Sequence, residues 1–202
     1  MSVVHNLCTR GQNGARRVLW AAEAMVARQI LRMQGVRVLG DLTISGLPFI
    51  VNLGEIELGD GVKLTSSRAN PVGGHARTSL VVQRSGTLVI GAGVGMSNCE
   101  IYCTQRVEVG AGSIIGGGAR IYDTDFHSLT ASGRRQRPDR GVRAAPVTIG
   151  EECFIGAFAT VLKGATVGAR SVIGAGAVVS GNVPADEVWA GNPARLVKRL
   201  SG

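Results

Sequence analysis

Between Ile149 and Gly181 a branched aliphatic side chain returns at every sixth residue: Ile149, Ile155, Val161, Val167, Ile173 and Val179. A helix repeats every 3.6 residues and a strand every two, so neither alone generates this period. The position after each aliphatic is Gly150, Gly156, Leu162, Gly168, Gly174 and Ser180, and the fourth after it is Cys153, Ala159, Ala165, Ser171, Ala177 and Val183. An amphipathic helix is excluded, because each interior glycine costs about 1 kcal/mol against alanine and a six-residue spacing walks around its surface. Short extended segments joined by corners satisfy the pattern: the aliphatic fills a core, the small residue fits beside it, and glycine admits the corner. Three sides make a coil of eighteen residues, so Ile149 stacks on Val167, Ile155 on Ile173 and Val161 on Val179 at about 4.8 Å. The fold class is therefore all-β, a parallel β-helix of hexapeptides. Each coil buries its core only against neighbouring coils, so the repeat must continue upstream.

Upstream it does, less regularly. Ile44, Ile50 and Ile56 keep the period, a slip intervenes at Leu58 and Leu64, and the pattern resumes at Ile90 and Met96, then at Val109, Ile115 and Ile121. Two breaks interrupt it: the polar, Gly- and Pro-bearing 65–78 and the longer 123–146, which exceeds what a turn requires. The repeat segments amount to about six coils. The division that follows is an N-terminal helical segment (1–35), a β-helix domain (36–184) with insertions at 65–78 and 123–146, and a C-terminal tail (185–202). Residues 15–33 place Leu19, Ala22, Val26, Ile30 and Met33 at helical spacing, predicting a helix that ends near Gly35. It reads as a cover for the open end of the solenoid rather than as a basic membrane-surface helix.

A net charge of +8 and a pI near 10.2 imply anionic company. Two Trp, two Tyr and four Phe are too few to serve as base-stacking platforms, which disfavours nucleic acid. The chain shows no apolar run of membrane-spanning length and no secretory leader, so a cytoplasmic protein, at most peripheral to a membrane, is expected. Cys8, Cys99, Cys103 and Cys153 form no CxxC pair and read as reduced and structural.

The repeats from Ile149 to Pro184, the preceding IYDTDFHSL of 121–129 and the closing VWAGNPARLVKRL of 188–200 together resemble the hexapeptide-repeat acyltransferases. The likeness is greatest to the sugar and capsular-polysaccharide O-acetyltransferases related to the maltose, galactoside and nodulation-factor enzymes. It spans roughly 36–200. It implies a left-handed β-helix, an exception to the usual right-handed crossover, and a homotrimer with active sites between subunits. It also implies acetyl-CoA as co-substrate, no metal, and a small-molecule or oligosaccharide acceptor.

Acetyl transfer to an alcohol requires a base, a task suited to histidine at neutral pH. Of His5, His75 and His127, the last occupies the place of the family's catalytic histidine. Asp125 is expected to orient its ring, and Asp123, Asn98 and Phe154 to contact the acceptor. The resemblance assigns the coenzyme to Ala157 and Ala175, whose corner amides meet the ligand, and to Lys163, Arg195 and Lys198 near its phosphates. Five arginines between Arg134 and Arg143 read either as a recruiter of anionic acceptors or as a solvated loop.

The alternatives are acylation of an amine or an antibiotic hydroxyl, a non-catalytic trimeric scaffold with a degenerate site, and a γ-type carbonic anhydrase. The last needs three histidines around zinc, which segments as dissimilar as those of His5, His75 and His127 disfavour.

Overall fold

A computed structural model describes residues 19–66, 70, 72 and 77–201. His5, His75 and Cys8 lie outside them. The chain winds as a three-sided parallel β-helix whose faces are three parallel sheets. The first face runs β1 (Arg37–Val38), β4 (Glu55–Leu58), β7 (Thr87–Ile90), β10 (Arg106–Val109), β13 (Val147–Ile149), β16 (Thr166–Val167) and β19 (Asn182–Val183). The second runs β2 (Leu42–Gly46), β5 (Val62–Ser66), β8 (Gly95–Ser97), β11 (Ile114–Ile115), β14 (Phe154–Ile155), β17 (Val172–Ile173) and β20 (Glu187–Ala190). The third runs β3 (Phe49–Asn52), β6 (Ser79–Val82), β9 (Glu100–Cys103), β12 (Arg120–Tyr122), β15 (Thr160–Val161) and β18 (Val178–Val179). A last strand, β21 (Arg195–Arg199), folds back antiparallel onto β20.

The expected stacking holds: Ile149 pairs with Val167, Ile155 with Ile173, and Val161 with Val179. On the third face the column Ile50, Leu80, Ile101, Ile121, Val161, Val179 is continuous and buried along its length. Burying each such side chain contributes about 1.5–3 kcal/mol. Leu58 pairs with Ile90, and Val109 with Ile149, so these two circuits carry the residues between β5 and β6 and between β12 and β13.

The glycine that follows most of the aliphatics serves close approach rather than the turn. A Cβ on Gly150, Gly156 or Gly168 would stand 2.6, 2.6 and 2.3 Å from the backbone nitrogens of Ala169, Ala175 and Ala185 in the next coil. The left-handed corner lies two residues later, at Glu152, Phe158, Arg170 and Asp186 (φ 53 to 60) or at a glycine.

The N-terminal helix, α1, is described over 19–33 and ends where Gly35 takes φ 66, a left-handed cap. It packs through Ala27 and Leu31, with Ile30 partly buried, whereas Leu19, Val26 and Met33 are exposed. The expected face, Ile30 apart, is thus turned away from the core. With apolar residues around most of its circumference, helical spacing alone does not choose a side, and the small Ala27 permits the closer approach. Asn52 donates from Nδ2 to the Gln34 carbonyl and from its backbone N–H to Gln34 Oε1, each at 2.9 Å, tying the helix end to β3. No helix among the described residues is long and apolar enough to cross a membrane.

Candidate functional site

The excursion between β12 and β13 leaves the prism through a pinched neck. Ala145 N–H donates to Asp123 O and Asp125 N–H to Arg143 O, both at 2.9 Å, and Thr124 bridges Ala144. Beyond it lies one short helix, α2 (Ala131–Arg134), capped by Thr130, whose hydroxyl accepts from Gly133 N–H at 3.1 Å.

Asp123 is fully buried, and its carboxylate accepts from Thr104 N–H, Thr104 Oγ1, Gln105 N–H and Arg106 N–H at 2.7–3.0 Å. It satisfies the corner of the coil below where the chain departs, and so clamps the scaffold instead of facing an acceptor. Asn98 is buried at another corner, with φ 45; its N–H donates to Thr65 O at 2.9 Å and its carbonyl accepts from Gly118 N–H at 3.0 Å.

His127 projects from the excursion with its side chain 74% exposed. Its Nδ1 lies 3.1 Å from Asp139 Oδ2, which also accepts from Ser128 N–H at 3.3 Å, and Arg137 stands 3.7 Å from Oδ1. The hydrogen bond from His127, with help from Ser128 N–H and the charges of His127 and Arg137, holds the Asp139 carboxyl below the usual carboxylate range. A carboxylate at Nδ1 favours the tautomer with the proton there, leaving the Nε2 lone pair directed outward.

Asp125 does not orient the ring. It pairs with Lys163 Nζ at 3.0 Å and Arg143 Nε at 3.6 Å, and its buried Oδ2 makes no hydrogen bond. Lys163 is thereby engaged at the neck and is only 25% exposed. Between Asp125 and His127 the backbone forms a γ-turn: His127 N–H donates to Asp125 O at 2.6 Å and Phe126 takes φ 61. This is the rare, strained, positive-φ form, costing of the order of 1–3 kcal/mol. The Phe126 ring rests on Tyr102 (centroids 4.7 Å apart) and meets Tyr122 edge-on (5.1 Å). The two tyrosines are register partners on β9 and β12. Gln83 Nε2 donates to Tyr102 OH at 2.9 Å, and Tyr122 OH donates to Glu100 at 2.6 Å; burial, and then this hydrogen bond, push the Tyr122 pKa upward.

Of the five arginines, Arg134 donates to the Ser128 and Leu129 carbonyls, Arg137 to those of Arg134 and Gln136, and Arg143 pairs with Asp125. These three serve the loop itself. Cys99 and Cys103 are buried free thiols whose pKa values burial pushes up to about 12, far from a reactive thiolate. Among the described residues no group of three or more His, Cys, Asp and Glu side chains is placed to hold a metal ion.

Ala157 and Ala175 occupy equivalent corners between the second and third faces, where Gly176 N–H donates to Ala157 O at 2.8 Å. Neither alanine amide donates to a backbone carbonyl among the described residues. Strand β20 ends at the same edge, and Ala190 there pairs with Arg195 of β21. Arg195 and Lys198 are exposed, and Arg195 lines a cleft of about 120 Å³ with Trp189, Asn182 and Ala194. The register therefore gathers Ala157, Ala175 and Arg195 on one edge. Lys163, in the corner between β15 and β16, belongs to the edge between third and first faces, from which the His127 excursion also leaves. Phe154 is exposed on the outer side of the second face, between Ile114 and Val172.

Reading the sequence missed Asp139, Phe126 and the tyrosine pair. The tyrosines carried a signal, since the stacking rule puts both on outward positions of adjacent coils once the slip between β9 and β12 is placed. Asp139 carried none.

The architecture is that of a hexapeptide-repeat β-helix with a histidine-bearing excursion. Residues 146–181 match the family described as bacterial transferase hexapeptide (six repeats), so this stretch carries the repeat unit of those transferases. The chain is 45% identical over 58 residues to the 2,3,4,5-tetrahydropyridine-2,6-dicarboxylate N-acetyltransferase of Staphylococcus aureus (strain JH9), spanning 29% of this chain but only 24% of that enzyme. The hexapeptide-repeat acetyltransferase VCA0836 of Vibrio cholerae O1 biovar eltor, complexed with acetyl coenzyme A, superimposes with a TM-score of 0.54 at 30% identity, covering 60% of this chain and 64% of that one. A single-site variant of AntD, an N-acyltransferase from Bacillus cereus bound to dTDP and coenzyme A, superimposes with a TM-score of 0.69 at 19% identity, covering 86% and 89%. The last likeness speaks for the fold alone.

Proposed function

We propose that the protein is an acetyl-CoA-dependent O-acetyltransferase that modifies a saccharide hydroxyl, as in the synthesis of a surface polysaccharide or glycoconjugate, with His127 as general base and Asp139 as its orienting carboxylate. The observation that carries this reading is the exposed His127 ring with Nδ1 held by Asp139 at 3.1 Å. Acetyl-CoA would bring an activated acyl thioester. The corner amides of Ala157 and Ala175 and the cation of Arg195 fit such a ligand, offering donors for its amide-rich arm and a charge for its phosphates. His127 Nε2 takes the hydroxyl proton as the acceptor oxygen attacks, and Asp139 stabilises the imidazolium formed. The proton then passes to the departing sulfur.

The base and the coenzyme edge lie on different edges of one chain, which supports a homotrimer in which each site draws the histidine loop from one subunit and the corner amides from its neighbour. Turnover of acetyl-CoA against a sugar panel tests the assignment. His127→Ala should fold and assemble normally while losing the 10²- to 10⁴-fold that general-base catalysis typically supplies, and Asp139→Asn should lose part of that. An undiminished rate in the alanine variant overturns the reading. Transfer to an amine is the second reading, favoured by the 45% identity to an N-acetyltransferase; amino sugars in the same panel separate the two.

A further inference from the structure

We infer that Phe126 is the positioning residue of the base: its ring, seated on Tyr102 and Tyr122, holds the strained turn that aims His127 at Asp139. The inference rests on the assignment of His127 made above but adds a residue that touches neither acceptor nor coenzyme in that scheme. Three features converge on it. The turn is closed by a hydrogen bond two residues apart, with a non-glycine residue at φ 61, a conformation that an unrestrained phenylalanine leaves. Each flank is gripped by a different part of the prism. Asp125 is held by Lys163 from the downstream corner, and the Phe126 ring is held by tyrosines from two upstream coils. Those tyrosines are themselves fixed through Gln83 and Glu100, so the ring's seat belongs to the rigid stack. His127, next in the chain, has no comparable packing of its own at 74% exposure and inherits its direction from this turn.

The test uses the full-length chain labelled with ¹⁵N. Long-range ¹H–¹⁵N correlation of the imidazoles, with His127 assigned through its loss in His127→Ala, should show the Nδ1-protonated tautomer in the wild type. Phe126→Ala should mix the tautomers and lower kcat about 100-fold, while the KM for acetyl-CoA stays within about twofold. Phe126→Tyr should restore both readouts. Phe126→Gly, which relieves the backbone strain but supplies no ring, should be as impaired as the alanine variant; recovery in glycine would overturn the proposal, because backbone freedom alone would then suffice. An unchanged tautomer and unchanged kcat in Phe126→Ala would overturn it as well. Should His127→Ala prove fully active while Phe126→Ala still scrambles the tautomer, the base assignment falls and the positioning stands, so the two failures are told apart.

Discussion

In the coils after Ile149 a left-handed corner recurs at every side but the one between β18 and β19, at Glu152, Phe158, Gly164, Arg170, Gly176 and Asp186, whereas in the excursion between β12 and β13 the non-glycine residue in that conformation is Phe126. The two settings stabilise the same strain differently. In the stack, the strained residue's own amide bonds to the coil below: Glu152 to Ala111, Phe158 to Gly117, Arg170 to Glu151 and Asp186 to Ala169, at 2.8–3.0 Å. One hydrogen bond per corner offsets the conformational cost, so the side chain there is free to vary. At Phe126 the amide reaches no backbone carbonyl of a coil below, and side chains supply the restraint: the Thr124 hydroxyl, which accepts from Phe126 N–H at 3.3 Å, a ring on two tyrosines, a lysine on an aspartate, and an aspartate on the histidine. Repetition makes the stack tolerant of sequence, and its absence makes the loop exacting.

Substitutions should therefore separate stability from rate. Ile155→Ala removes an inward side chain stacked between Ile115 and Ile173 and should cost about 4 kcal/mol in denaturant unfolding, with kcat per folded molecule unchanged; a fall in kcat would erase the contrast. Gly156→Ala comes next. Its Cβ would lie 2.6 Å from Ala175 N and 2.7 Å from Ile173 O, an overpacking of backbone worth about 2–3 kcal/mol. Gly176→Ala, with nothing within 4 Å but φ at +69, should cost only about 1 kcal/mol, and equal losses at the two glycines would refute the division between close approach and conformational freedom.

The smallest effect lies in the loop. Because the folded-state pKa of Asp139 is depressed, its hold on Ser128 and His127 is full above the ordinary value of 3.8 and lost as the pH falls through the lower folded value. The protection of the Ser128 amide, its exchange rate relative to the intrinsic rate at each pH, should fall in that window before that of the coil amides; simultaneous loss would show that the latch has no independent role.

How much of this was readable in the residues follows from the same contrast. The columns headed by Ile149, Ile155 and Val161 were legible because each inward position is selected by the two coils that touch it, and selection repeats every sixth residue. The glycines were legible in position but not in cause, since nothing in a one-dimensional pattern distinguishes a residue that turns from one that is crowded. His127 is marked as the candidate base only by family likeness, with Asp125 taken as its partner on proximity in sequence. The structure pairs it with Asp139 because the γ-turn at Phe126 separates the side chains on either side, and long-range pairing inside a non-repeating loop leaves no period to read. The packed side of α1 escaped for a related reason: a helix apolar on most sides has no preferred face until the surface it meets is known.

The reversed strand β21 lies along β20 and carries Arg195, Lys198 and Arg199 outward at the end of the second face. Parallel coils are a natural seed for head-to-tail polymers, because an uncovered final rung offers its backbone to the first rung of another copy. On the second face that rung is already taken by the chain's own return, and a newcomer there meets clustered positive charge, a common guard against edge-to-edge association. The second face thus carries its own terminator, and stripping 195–199 should open β20 to pairing with another copy, read as sedimenting mass that grows with concentration.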